Sequence, residues 1–179
     1  MENDWKVVTN NKKKNQNCGD NVGLPSKYTL WCHEVYNKSW DLSSYKKICT
    51  ITNVSEFWKL INNLDKTGFT SNNLFLMKDG ITPMWEDPNN REGGICSFKV
   101  DIRQSLSVFE EFALYMICEC LVGNSNDING LSFSPKNGWA IIKIWNKDKN
   151  NDIASLLNND IKKKYSNLSI KYKCNEPEF

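Results

Sequence analysis

The stretch Phe75-Leu76-Met77-Lys78-Asp79-Gly80-Ile81-Thr82-Pro83-Met84-Trp85-Glu86-Asp87 holds an extended run and then a turn-like loop. Leu74 to Lys78 has the length and apolarity of a buried strand, and Ile95 to Ile102 reads as another. The loop between them carries Trp85 with Glu86 at its side. A second tryptophan, Trp40, follows the polar segment Tyr36-Asn37-Lys38-Ser39. Runs of extended type bracket it: Tyr28 to Val35, where Leu30 and Cys32 alternate with Trp31 and His33, and Tyr45 to Thr52.

Further out, Val54 to Leu64 is an amphipathic helix with Phe57, Leu60, Ile61 and Leu64 on its buried stripe and Asn53 placed to cap it. A strongly apolar helix is expected from Ser107 to Val122, stopping at Gly123. Leu131 to Ser134 and Trp139 to Asn146 form a hairpin that turns at Pro135-Lys136-Asn137-Gly138, because Asn-Gly favours the positive backbone angles of tight turns. A third helix, Asp152 to Tyr165, aligns Ile153, Leu156, Leu157 and Ile161, and a strand from Leu168 to Lys173 ends the pattern. Many strands at hairpin-like spacing imply an α+β fold, a curved antiparallel sheet with about three helices packed on its convex face.

The 179 residues fit one domain. Residues 1–23 are expected to be a disordered amino-terminal tail, since their stretch from about Asn10 is polar, lysine- and asparagine-rich and without period; residues 24–179 are expected to form the domain. Hydrophobic content of 40% with no long apolar run excludes a membrane span, and the start lacks the pattern of a secretory signal, so the expected location is the cytoplasm. Seven cysteines, odd in number and without a Cys-x-x-Cys pair, argue against a disulfide framework and against a metal site. A net charge of +2 is too small for nucleic-acid affinity by bulk electrostatics. Any RNA contact must be local. Asparagine-heavy, arginine-poor usage hints at an AT-rich viral or protist genome.

Two indoles and one acid suit a flat, positively charged heterocycle. An indole face attracts a cation above it by about 2 kcal/mol when water is excluded, and a carboxylate is a strong acceptor for ring N–H groups. A 7-methylguanine ring meets each requirement. A sugar or unmodified single-stranded RNA is the rival ligand, because stacking sites serve those as well. An enzyme has little support. His33 is the lone histidine, and no nucleophile elbow or phosphate-cradling glycine loop appears.

From Leu24 to Lys173 the chain resembles the initiation factor 4E-like, messenger RNA cap-binding proteins of translation. The resemblance rests on Lys38-Ser39-Trp40, Glu56-Phe57-Trp58, the block from Phe75 to Asp87, Gly93-Gly94 and Ile144-Trp145. It implies that Trp40 and Trp85 stack on the methylated base, that Glu86 accepts its N1 and N2 protons, that the Trp85 backbone N–H meets O6, and that Trp145 lies near the methyl group. It implies no cofactor and no catalysis, and a monomer that recruits capped mRNA for translation initiation. A cap-binding repressor or decoy that engages no scaffold is the alternative.

The phosphate clamp departs from the family's pattern. Lys136 falls where the family has a phosphate-binding arginine, Ile141 where it has a lysine, and Ile95 where an arginine is usual. Lys143 shares a strand face with Ile141, and Lys99 with Ile95, which nominates both as replacements, Lys143 ahead of Lys99. After the last strand only Cys174 to Phe179 remain, so the family's closing loop over the outer nucleotides is expected to be missing. Trp58 lies roughly 110° from the centre of its helix's stripe, on one edge with Val54. In the family that edge receives a helical segment of the initiation scaffold protein or of a repressor. The leucines that help there fall on Tyr115 and Glu119.

Overall fold

The computed structural model describes residues 22–64, 68 and 71–175. Seven strands form one sheet: β1 (Gly23–Glu34), β2 (Lys46–Asn53), β3 (Asn72–Lys78), β4 (Gly94–Asp101), β5 (Ile128–Pro135), β6 (Trp139–Asn146) and β7 (Ser169–Cys174). Their order is β2-β1-β3-β5-β6-β4-β7, and every neighbouring pair is antiparallel. The helices are α1 (Val54–Ile61), α2 (Pro88–Arg91), α3 (Ile102–Ile117), α4 (Ile153–Leu156) and α5 (Asn159–Lys164).

The two-residue period of the strands separates two apolar clusters on the two faces. Leu30, Leu76, Phe98, Leu131, Phe133, Ile142 and Ile144 point to the convex face, where they meet Phe57 of α1, Phe109 and Phe112 of α3 and Ile153 of α4. On the open face a smaller cluster holds Phe75, Met77 and Trp145, with Trp31, Tyr45, Ile81 and Ile95 packed against it. That second cluster is the floor of the site described below.

Local signals explain most element boundaries. Asn53 caps α1 by accepting from the Glu56 N–H at 2.9 Å, while the Glu56 carboxylate reaches back to the Thr52 N–H at 2.7 Å. These reciprocal bonds satisfy donors that a helix start leaves free. The hairpin turns where expected, with Gly138 at φ 77° and the Lys136 N–H donating to Trp139 O at 2.7 Å. Gly93 and Gly94 are required by close approach. A Cβ on Gly93 would lie 1.8 Å from Asn146 O, and one on Gly94 2.3 Å from the Tyr172 hydroxyl.

Several expectations are corrected. β1 begins at Gly23, opposite Asn53, so the expected tail reaches into the sheet at its last residue, and residues 1–21 lie outside the described residues. The apolar helix runs from Ile102 to Ile117 instead of Ser107 to Val122. Asp101 caps it early by accepting from the Arg103 N–H, and the chain leaves it through Glu119, at φ 55°. Gly123 is therefore not its stop. The expected helix from Asp152 to Tyr165 is two short helices. Leu157 breaks it by pairing with Val122, Asn158 caps α5, and Leu156 is turned out to solvent. The four-residue α2 was not anticipated.

Candidate functional site

The Trp85-Glu86 loop is organised by its neighbour Asp87. The Asp87 carboxylate accepts from the Thr82 N–H and hydroxyl, both at 2.7 Å, and from the Asn89 N–H at 2.9 Å and side-chain amide at 3.0 Å. Burial alone would raise this carboxyl; the four hydrogen bonds outweigh burial and hold it below the usual carboxylate range. Asn90, fully buried, donates to Thr82 O at 3.0 Å and Met84 O at 2.7 Å. Asn129 of β5 ties the arrangement to the sheet through Asn89 O at 2.7 Å and Asn90 Oδ1 at 3.0 Å. Trp85 is left 42% exposed on a braced loop. Among the described residues, no hydrogen bond or ion pair holds the Glu86 carboxylate, and the Arg91 guanidinium donates instead to Glu86 O at 3.2 Å.

Trp40 stands on the β1–β2 loop, 53% exposed. Ser39 fixes that loop: its N–H donates to Asn37 Oδ1 at 3.0 Å and its hydroxyl to Asp41 at 2.8 Å. Beneath Trp40 lies His33, stacked with a centroid separation of 4.1 Å and an interplanar angle of 5°. Tyr45 tilts against both rings, at 5.0 Å from His33 and 6.2 Å from Trp40. The aromatic run continues through Phe75, 5.5 Å from Tyr45, to Trp145, 6.5 Å from Phe75.

Both loops pack onto this floor, the first through Tyr45 and the second through Ile81. The Trp85 loop leaves the far end of β3 and folds back, setting Ile81 on the Phe75–Met77–Trp145 cluster. Burial pushes the Tyr45 hydroxyl up to about 12, and the negative charge of Glu86 adds to it. Tyr45 thus touches Trp40 on one side and feels Glu86 on the other. Trp145 is almost buried, and its indole N–H donates to the Ser132 hydroxyl at 2.9 Å.

Lys143 lies on the open face between Ser132 of β5 and Ser97 of β4 in register. Burial lowers its pKa, and the charge of Lys136 lowers it further, so the two lysines nominated for phosphate are close enough to repel. Lys99 is placed differently, with Nζ 4.5 Å above the Trp139 ring. On the opposite side of the domain, Trp58 is 43% exposed, its ring edge-on to Phe57 at 5.3 Å, and Val54 is half-buried one turn before it. Tyr115 is on α3, half-buried. Glu119 is not on that helix: it follows the α3 end and takes the Ser26 hydroxyl at 3.5 Å.

Reading the sequence missed His33 as a seat for Trp40, Tyr45 as the link between the loops, and the Asp87–Asn90–Asn129 brace. Strand alternation already placed His33 on one face with Trp31, which was the available signal. Nothing in the order of residues says which way the Trp40 loop folds.

The fold defines an α+β domain built on one antiparallel sheet with an open face. The sequence pattern of the family described as Eukaryotic initiation factor 4E matches residues 23–178, and the chain belongs to that family. A homolog from Acanthamoeba polyphaga mimivirus is 26% identical over 138 residues, 64% of this chain and 51% of that protein. Factor 4E-1A of Danio rerio is 30% identical over 143 residues, 73% of this chain and 64% of the relative. The chain spans about half to two thirds of the length of the curated relatives it matches. Among solved structures, Caenorhabditis elegans eIF4E-3, in complex with the 4E-binding protein Mextli and cap analog, superposes with a TM-score of 0.75 at 24% identity, over 86% of this chain and 92% of that one. Ascaris suum eIF4E-3 with m7G cap gives 0.73 at 23%, over 88% and 93%. These likenesses are in the fold.

Proposed function

We propose that the open face binds the 7-methylguanosine cap of messenger RNA and that the chain thereby recruits mRNA for translation initiation in the cytoplasm. The observation that carries this reading is a pair of exposed indoles on braced loops, with a carboxylate next to one of them that no hydrogen bond or ion pair holds among the described residues. The methylated base enters between Trp40 and Trp85. Glu86 accepts the N1 and N2 protons, the Trp85 N–H meets O6, and Trp145, closing the floor, faces the methyl group. A charge-assisted bond to Glu86 and a cation over indole each favour the methylated, cationic base over its neutral parent.

Lys136 and Lys143 supply the cations for the phosphates. Lys143 suits this because a half-buried ammonium beside another lysine gains most from an incoming anion. Trp58 and Val54 offer an edge to a helical segment of a scaffold or repressor, a helix-in-groove contact. No step of the reading needs a metal, a cofactor or bond making. Retention on immobilised 7-methyl-GTP, with elution by free 7-methyl-GTP and not by GTP, tests it. Elution by both alike would reduce the site to a general stacking surface.

A further inference from the structure

We propose that His33 is the positioning residue for Trp40: the neutral imidazole is the seat on which the indole lies flat, and charging that imidazole unseats it. This rests on the cap-binding reading for its consequence and on the His33–Trp40 geometry for its cause.

His33 is fully buried, and its Nε2 lies 2.7 Å from Ser39 O. A carbonyl oxygen only accepts, so Nε2 carries the proton and donates. The same bond ties the seat to the residue before Trp40. Nδ1 is then the bare nitrogen of a neutral ring, and among the described residues no hydrogen-bond partner reaches it. Protonation would put a second N–H there with nothing to receive it, and a buried donor left unpaired is costly. Water is the remedy, and the group to be moved aside is Trp40, which covers the ring at 4.1 Å.

A second effect runs the same way. The outer face of Trp40 is the one offered to the cationic base. A charged imidazole on the inner face would draw on the same indole quadrupole and repel the base through it. Acid therefore weakens cap binding through His33 on both counts.

Among the described residues, the charge that interacts with a charged His33 is its neighbour Glu34, and none makes a hydrogen bond to Nδ1. On β1, Glu34 is held by Lys46 of β2 at 2.8 Å, and the Cys32 thiol, on the other face, is pushed up by burial. In the loop, Lys38 is exposed and Asp41 is engaged by the Ser39 hydroxyl. Tyr45 stays protonated, its hydroxyl raised to about 12. The β3 residue in register, Asn73, is uncharged and donates to His33 O at 3.4 Å.

The test follows the Trp40 indole N–H signal by NMR in the ligand-free protein, assigned with Trp40→Phe, as the pH is lowered from about 7.5 into the acid range. It is paired with 7-methyl-GTP titrations of wild type, His33→Phe and His33→Ala over the same range. The base's own N1 proton titrates at the neutral end of this range alike for every variant, so wild type and His33→Phe are compared at each pH. The Trp40 signal is expected to move as the pH falls in wild type and to stay put in His33→Phe. Affinity is expected to drop several-fold toward acid in wild type relative to His33→Phe. At neutral pH, His33→Ala should lose affinity several-fold and His33→Phe should recover most of it. A stationary Trp40 signal, superimposable pH profiles for wild type and His33→Phe, or full affinity in His33→Ala would overturn the proposal. Absence of 7-methyl-GTP binding by wild type would instead sink the cap reading, and the ligand-free signal would still decide whether His33 seats Trp40.

Discussion

The indole N–H of Trp145 donates to the hydroxyl of Ser132 at 2.9 Å, a buried bond that crosses from β6 to β5 on the open face. It fixes the tryptophan that closes the floor under the two loops. Ser132→Ala leaves that N–H without an acceptor where water does not reach, at a cost of about 1–3 kcal/mol. Urea denaturation should register the loss, and Ser132→Thr, which keeps the hydroxyl, should recover part of it. Equal stability of Ser132→Ala and wild type would show that the bond holds nothing.

Asp87 makes the domain acid-sensitive in a defined way. Its folded carboxyl lies below the unfolded value of about 3.9, so its contribution is fully present above that value and is lost as pH falls through it toward the folded one. Asp87→Ala should be less stable by about 1–3 kcal/mol at neutral pH. The difference from wild type should shrink below about pH 4. A gap that stays constant into acid would mean that the hydrogen bonds from Thr82 and Asn89 are not what depresses the carboxyl.

The phosphate reading separates from the base reading in Lys143. Lys143→Met should leave binding of 7-methylguanosine unchanged, because that ligand has no phosphate. The same variant should weaken 7-methyl-GTP and lower the salt slope of its binding by about one. Ile141→Lys adds a cation on the same strand face and should raise 7-methyl-GTP affinity. Unchanged salt dependence in Lys143→Met would assign the phosphates to other residues.

Most of the sheet was legible in the sequence, because alternation along β1, β4 and β6 reports which side chains face the helices, while β3 reads as a short apolar run because both of its faces are covered. The stripe of α1 was legible for the same kind of reason, and Asn53 marked its start. The ends of α3 were not. Asp101 belongs to β4 and caps α3 at once, and the left-handed Glu119 has no glycine to announce it. The break at Leu157 arises from pairing with Val122, thirty-five positions away, which no local window contains. In the site, Trp40, Trp85 and Glu86 stood out as an exposed-type aromatic pair with an acid. Their bracing by Asp87, Asn90 and Asn129, and the His33 beneath Trp40, are tertiary arrangements of residues common in any loop or strand.

The Trp58 edge is separable from the cap site. Trp58 covers Phe57 with one ring edge and is otherwise open, so Trp58→Ala should cost little stability. Binding of a scaffold-derived helical peptide, followed by calorimetry, should fall at least about tenfold, the loss common for an aromatic anchor. Cap affinity should not move. Full peptide binding by the variant would place the partner surface elsewhere, and no peptide binding by wild type would favour a decoy or repressor that engages no scaffold.

Tryptophan fluorescence titration with 7-methyl-GTP against GTP tests the central claim most directly. A base whose positive charge is held between Trp40 and Trp85 should bind about tenfold to a hundredfold more tightly than its unmethylated parent, and the preference should collapse in Trp85→Ala. Equal affinity for the two nucleotides, or an undiminished preference in Trp85→Ala, would contradict it.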